Sequence, residues 1–501
     1  MKASESGPGN TSPHGVATDP IRQEDLPHDP ARKVTRAEFL QIFTAVMLPM
    51  LMAIIDQTLL ASATPAIAAD LGNLYDSSWI ATAYLLTAAV MVPVYGRLGD
   101  RYGRRRILMV ALGMFMFGAL ICAASQTMHQ LIAGRAIQGM GGGGLMSLSF
   151  ALIGELVPPR QRVSFQGYFA INSMAGNFLG PIIGGLVVAH ASWRWLPAMS
   201  VPLGLLAGWR LMRLPRGARH PDAPGLSDFT GLGLFALGTL LVLFGLSSAG
   251  HRFDWLSWQT ALLIGFGLLA WAWLFAHERR HHAPFFPIDL LLLPPIRQWL
   301  ASAILSTFCL LALIFYLPVY FQLGLRTGAA QSGLMLTPVL LGFVLGGVLA
   351  GRRAAHTGDP KPIPVAGHSL AAVALFALVI APPDATLVAT LGFVAGLGIG
   401  PTMPLVQVVV QTVAGHDRLG AATALVVLSR TLGAALGTAV IGAVVYSILP
   451  DLEAARLVEA GNAIAPAGAE VMRAFQVAFF VTACVAVLGA VNAGRAHSVK
   501  I

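Results

Sequence analysis

Apolar residues in this chain come in long blocks separated by short polar breaks, and fourteen of the blocks are as long as a membrane-crossing helix. They begin near Phe39, Trp79, Ile107, His129, Ser164 and Pro197, then near Asp228 and Trp258, and finally near Leu300, Ser332, Ile363, Thr386, Leu419 and Met472. About twenty apolar residues with almost no charge cross a bilayer core as a helix, because a helix satisfies its own backbone hydrogen bonds in hydrocarbon. The pattern predicts an all-α integral membrane protein with fourteen transmembrane helices spaced as six, two and six.

That spacing sets the expected organisation. A disordered polar tail (1–38) precedes a six-helix bundle (39–213), a linker (214–227), two extra transmembrane helices (228–276) and a second linker (277–299). A second six-helix bundle (300–492) and a short tail (493–501) complete the chain. The first tail is rich in Pro, Asp and Arg and lacks the apolar core of a signal peptide. An internal repeat supports two related bundles. "GRLGDRYGRRR" at 96–106 aligns without gaps on "GRRAAHTGDPK" at 351–361, so that Gly96 meets Gly351, Gly103 meets Gly358 and Arg106 meets Lys361. Asp100, however, meets Ala355, and Arg101 meets His356. The second copy keeps the turn glycines and has lost the acid.

Composition agrees with the pattern: 56% of the 501 residues are hydrophobic, 11% are charged, and mean hydropathy is +0.71. The net charge of +9 would suit a nucleic-acid partner, but its placement argues against one. With the amino terminus inside, 24 of the 32 Lys and Arg fall in inward loops or tails and five outside. This positive-inside bias predicts both termini in the cytoplasm and reads the basic charge as a topology signal. Cys122, Cys309 and Cys484 all lie within apolar blocks and suggest neither a disulfide nor a metal site. The histidines of "HERRHH" (277–282) could bind metal, but beside arginines they read first as a solvated basic face. No G-x4-G-K-[ST] nucleotide loop and no nucleophile–base arrangement is present, so neither an enzyme nor a cofactor is expected.

Charge inside a membrane is costly and marks function by default. Asp56 is the one carboxylate well inside a block, whereas Glu155 and Asp228 lie near block ends and read as wetted. A lone buried carboxylate suits proton carriage, because desolvation raises its pKa and a nearby cation lowers it. Arg135 is the natural counter-charge. A purely structural Asp–Arg pair, or Asp56 as a helix cap, stays open. Arg430 is the deep charge of the later bundle, able to bind an anionic or carbonyl-rich substrate or to hydrogen-bond carbonyls at a kink. Asn172, Tyr316, Tyr320, Gln322, Gln407 and Gln411 could line a cavity or join helices together.

The block "GYFAINSMAGNFLGPIIGG" (167–185) carries a stripe of Gly176, Gly180 and Gly184 for close helix approach. Gly167 and Gly185 share the face opposite Gly176, and Pro181 should bend the helix.

These motifs resemble the major facilitator superfamily, specifically its fourteen-helix drug:proton antiporter branch, over nearly the whole chain after the tail. "GRLGDRYGRRR" resembles the superfamily's loop motif, and "LIAGRAIQGMGGGG" (131–144) resembles its fourth-helix motif containing Arg135. Gly167, Gly176, Gly180, Pro181, Gly184 and Gly185 match a fifth-helix motif typical of proton-coupled exporters. "DQTLLASATPAI" (56–67) and "SWRWLPAMSVPLG" (192–204) are similar to segments of the fourteen-helix branch.

The resemblance implies a proton-coupled antiporter of the cytoplasmic membrane that exports amphipathic, often cationic, compounds by alternating access. Its partners would be a small-molecule substrate, protons and the lipid bilayer, with the proton gradient as energy source. A periplasmic adaptor is left unknown. Asp56 and Arg135 would couple protons, and Gly96, Asp100, Arg101, Gly103 and Arg104 would form a cytoplasmic gate between the bundles. The alternatives are a narrow exporter of one metabolite or natural product, and a receptor that keeps the fold without transporting.

Overall fold

The apolar blocks form helices. In a computed structural model, residues 36–71, 78–158, 172–173, 175–176, 179–180, 183–214, 228–248, 253, 257–281, 285–327, 329–448 and 468–500 are described. The first half contains α1 (Arg36–Leu71), α2 (Ser78–Tyr102), α3 (Arg104–Ala124), α4 (Met128–Leu156), α5 (Trp195–Ala198) and α6 (Ser200–Met212). The inserted pair is α7 (Phe229–Ser248) and α8 (Trp258–Glu278). A short α9 (Ile288–Leu292) leads into α10 (Pro294–Gly324), α11 (Ala329–Met335), α12 (Thr337–Thr357) and α13 (Pro362–Ile380). The chain continues through α14 (Ala385–Ile399), α15 (Thr402–Ala414), α16 (Leu419–Ile448) and α17 (Gly468–Arg495).

Among the described residues, twelve helices are long and apolar enough to cross a membrane. Two of the fourteen expected segments are not among them. Most of the block beginning near Ser164, with Gly167 and Pro181, lies outside the described residues. The block beginning near Pro197 is broken at Met199 into helices of 4 and 13 residues. Pro202 explains the break, since it has no N–H to donate to the carbonyl of Ala198.

Helix ends follow local chemistry. Thr127 caps α4 by accepting from the Gln130 N–H at 3.3 Å, and Asp384 caps α14 by accepting from Leu387 at 2.7 Å. The repeated loop turns on glycine in both copies: Gly103 (φ 94°) separates α2 from α3, and its aligned partner Gly358 (φ 70°) ends α12. Both occupy the left-handed half of backbone space, which L side chains avoid.

Within the first half, α4 lies between α2 and α3. Its glycine run makes that possible: a methyl at Gly139 or Gly143 would meet the Tyr84 and Ala88 carbonyls of α2, and one at Gly141 would meet Ala111 and Phe115 of α3. In the second half α10 packs on α16 and α17, and α13 on α14 and α17, around a core that includes Phe308, Phe321 and Phe475. The inserted pair α7–α8 packs on itself, and α7 also touches α2 and α16, one helix from each half. Trp79 of α2 stacks on Phe244 of α7 at 5.4 Å.

Candidate functional site

Two buried charge clusters stand out, each centred on an arginine of the first half's helices. In the first, α1 brings Asp56 and α4 brings Arg135 to 2.6 Å, both 1% exposed. Arg135 Nη1 also donates to Gln138 Oε1 at 2.6 Å, and its Nε donates to the Ile80 carbonyl at 3.0 Å. Gln138 Nε2 returns to Asp56 Oδ1 at 2.8 Å, closing a ring of three side chains, and Ser200 Oγ donates to the same oxygen at 3.4 Å. The guanidinium lies 4.5 Å from the centroid of the Tyr84 ring, a cation–π contact. Asp56 lies within α1, so the end-cap reading is excluded.

The second cluster crosses between the halves at the Arg-rich end. Arg104, 2% exposed, binds Asp100 at 2.7 Å and Glu155 at 2.9 Å. Asp100 then reaches the start of α16, where Oδ1 accepts from the Gly420 N–H at 2.9 Å and Oδ2 from Ala421 at 3.1 Å. These are orphan amides of a helix N-terminus, where negative charge is favoured. Arg104 Nη2 adds a bond to the His416 carbonyl at 3.1 Å. Gly96 completes the approach, because a methyl there would lie 2.6 Å from the Gly420 carbonyl oxygen. Through these bonds the described residues of the two halves are joined at this end. Glu155 and Asp228 are buried, contrary to the wetted positions expected of them. Arg101 lies over the ring of its neighbour Tyr102.

The remaining candidates do not form one site. Gln407 and Gln411 both donate to Thr423 Oγ1, at 3.3 and 2.9 Å, and Gln411 also reaches the Phe150 carbonyl across the seam at 3.3 Å. Arg430 lies 5.5 Å from the Phe150 ring and donates to the Met403 carbonyl at 2.8 Å. Among the described residues, Arg430 Nε and Gln407 Oε1 have no hydrogen-bond partner. Tyr316 donates to the Thr438 carbonyl at 2.9 Å and Gln322 to Ser332 at 2.9 Å. Tyr320 is buried against Phe475 and Phe479, and Asn172 reaches the Met47 carbonyl at 3.5 Å. These four make helix-to-helix contacts apart from the seam.

Gly176 and Gly180 lie against α1: Thr58 Oγ1 donates to the Gly176 carbonyl at 3.2 Å, and a methyl at Gly180 would overlap Thr58. Gly184 is buried, but a methyl at Gly185 would meet nothing within 4 Å, so among the described residues close packing on the opposite side is not seen there. The "SWRW" segment serves the other end of the first half. Trp193 Nε1 and Arg194 Nη1 bind Asp70 at 3.0 and 2.7 Å. The Trp193 hydrogen bond first, and then Arg194, hold the Asp70 carboxyl below the usual carboxylate range.

Comparisons with known proteins agree with this architecture. Residues 46–438 match the family model of the Major Facilitator Superfamily. The chain is 33% identical over 415 residues to an uncharacterized MFS-type transporter of Mycobacterium tuberculosis, an alignment that covers 81% of this chain and 60% of that one. The chain thus spans about 60% of the length of its mycobacterial relatives. It is 28% identical to the multidrug transporter protein MdtP of Bacillus subtilis, over 83% of this chain and 77% of that one. The crystallised proton:xylose symporter XylE superposes with a TM-score of 0.62 at 17% identity, over 91% of this chain and 95% of that one, which establishes the fold. The chain belongs to the Major Facilitator Superfamily: it is a multi-pass membrane protein of a transporter family, not an enzyme.

Proposed function

We propose that the chain is a proton-coupled antiporter that exports amphipathic, often cationic, compounds across the cytoplasmic membrane by alternating access. The observation that carries this reading is the Asp56–Arg135–Gln138 ring, a carboxylate deep in a membrane segment held by one cation and one amide. Protonating Asp56 neutralises its side of the ion pair and weakens its hold on Arg135 and Gln138. Ionising it restores the ring. A ring that closes and loosens with one proton can be coupled to which face of the protein is open. The closed seam at Asp100, Arg104 and Glu155 is the other requirement of alternating access, a barrier that one state makes and the other breaks. The multidrug transporter of Bacillus subtilis among the relatives favours a broad range of exported compounds, and membership of the fourteen-helix branch is part of this proposal.

The energetics suffice. A proton entering a cell at about 150 mV and half a pH unit supplies roughly 4 kcal/mol, enough to hold about a thousandfold outward gradient of a neutral compound. The test is transport into inside-out reconstituted vesicles, driven by an imposed pH gradient and read over a panel of compounds. Export of several chemical classes with coupled proton movement is expected. Export of a single class would replace this reading with a narrow metabolite exporter. Asp56→Asn should reduce gradient-driven uptake to the level of empty vesicles while folded protein stays in the bilayer. Undiminished uptake by that variant would remove Asp56 as the proton carrier.

A further inference from the structure

The base of the inserted helix pair carries a cluster that the transport reading does not use. His277, in the last turn of α8, and His281, just beyond the end of that helix, have ring centroids 5.3 Å apart. Asp228, immediately before α7, faces them, and its Oδ1 lies 3.0 Å from His277 Nε2. One ligand atom from each of the three residues falls within 4.8 Å of the others. Among the described histidines of this linker, His277 thus faces a buried carboxylate, Asp228.

We propose that Asp228, His277 and His281 form a transition-metal site, with Zn2+ the best-fitting ion, that fastens α7 to α8 at the Arg-rich end of the molecule. Two imidazole nitrogens and one carboxylate oxygen are a zinc donor set, and water can complete a tetrahedron. Small side-chain rotations bring atoms at these separations to ligand distances near 2 Å. The carboxylate is already oriented, since Asp228 Oδ1 accepts from the Gly231 N–H at 2.7 Å and Oδ2 from the Phe285 N–H at 3.4 Å, the outer contacts a metal ligand requires. The His277 side chain is 25% exposed, which leaves an entry path. A cation here also sits at the C-terminal end of α8, the negative pole of its dipole. Beside the cluster, Glu278 Oε2 is buried with no hydrogen-bond partner among the described residues, an additional unmet acceptor. Glu278 Oε1 and Arg97 Nη1 hold the neighbouring segment through Phe286 N and Phe285 O, at 2.8 and 3.0 Å. A metal at the cluster therefore stiffens the contact between the inserted pair and α2, the helix that carries Asp100.

The experiment uses the full-length protein in detergent, dialysed against micromolar ZnCl2 with excess MgCl2, and reads bound zinc per chain by mass spectrometry together with the thermal midpoint. Wild-type protein should hold one more equivalent of zinc than a His277→Ala/His281→Ala variant, and zinc should raise the midpoint of wild type only. His281→Gln, beyond the last residue of α8, tests the site without disturbing a helix and should weaken zinc binding by more than the ~10–100-fold typical of losing an outer-shell partner. Co2+ in place of zinc should give visible absorption bands of a four-coordinate ion that the variants lack. Equal zinc content and affinity in wild type and His281→Gln would overturn the assignment.

Discussion

The two buried arginine clusters use the same chemistry to opposite ends. Among the described residues, Arg135 bonds only first-half groups, Asp56, Gln138 and the Ile80 carbonyl, and Ser200 of the same half bonds Asp56. Around Arg104 the ion pairs to Asp100 and Glu155 are equally buried, but the remaining bonds go to His416, Gly420 and Ala421 of the second half. The first ring can change its charge without itself breaking a bond between the halves. On separation of the halves the second loses its bonds to His416, Gly420 and Ala421 and keeps only the pairs of Arg104 with Asp100 and Glu155. Under the proposed function, proton exchange belongs to the self-contained ring and the conformational latch to the shared cluster, and each role can be broken separately.

The largest expected effect is on the latch. Arg104→Ala strands two buried carboxylates, and removing one partner of a buried ion pair typically costs about 3–5 kcal/mol. It should lower the thermal midpoint of the purified protein far more than Arg101→Ala, whose guanidinium overlies Tyr102. Equal midpoints for the two variants would mean that Asp100 and Glu155 are not stabilised by Arg104.

Asp100→Asn is milder and more selective. It keeps the shape but removes the charge that strengthens the bonds from Gly420 and Ala421, each charge-assisted bond being worth about 1.5–3 kcal/mol. The loss falls on the closed arrangement alone, so the open fraction should rise roughly tenfold to a hundredfold. Spin labels at the exposed positions Tyr102 and Arg353, one in each half, would report this as a population at longer distance. Asp56→Asn, a mimic of the protonated carboxylate that removes no bond between the halves, should change that distribution less than Asp100→Asn does. If Asp56→Asn widened it and Asp100→Asn did not, the two roles would have to be exchanged.

Much of this division was legible in the sequence. Asp56 and Arg135 could be paired because a charge in hydrocarbon needs a partner and these were the deep ones of the first half. Gln138 was missed, although it lies three residues after Arg135 and so on the same helical face. Glu155 was missed for a different reason. Its place near a block end suggested water, and nothing in its neighbourhood reveals that Arg104, itself bonded to the His416 carbonyl, pairs with it. The same holds for Asp228, covered by the segment at Phe285. Tyr320 and Gln322 looked like cavity residues because polarity within an apolar block has two uses, and only packing partners such as Phe475 and Ser332 distinguish them. The break at Met199 was written in Pro202 but hidden by the apolar character of the block.

The repeated loop provides the finest test. Gly103 and Gly358 make the same kind of turn, at φ 94° and 70°, and a Cβ at such angles costs about 1–3 kcal/mol. Gly358→Ala should therefore cost about 1 kcal/mol, near the usual left-handed penalty. Gly103→Ala should cost more, because its ψ of 125° lies outside the left-handed helical well. The larger difference lies in the side chains that each glycine positions. Gly103 precedes Arg104 and sets its position under Asp100 and Glu155, whereas Gly358 belongs to the copy in which Ala355 stands where the acid would be. Strain at Gly103 should lengthen the distance between labels at Tyr102 and Arg353, and strain at Gly358 should lower stability without moving it. A shift of equal size in both variants would show that the turn itself, and not the charge cluster hung on it, holds the halves together.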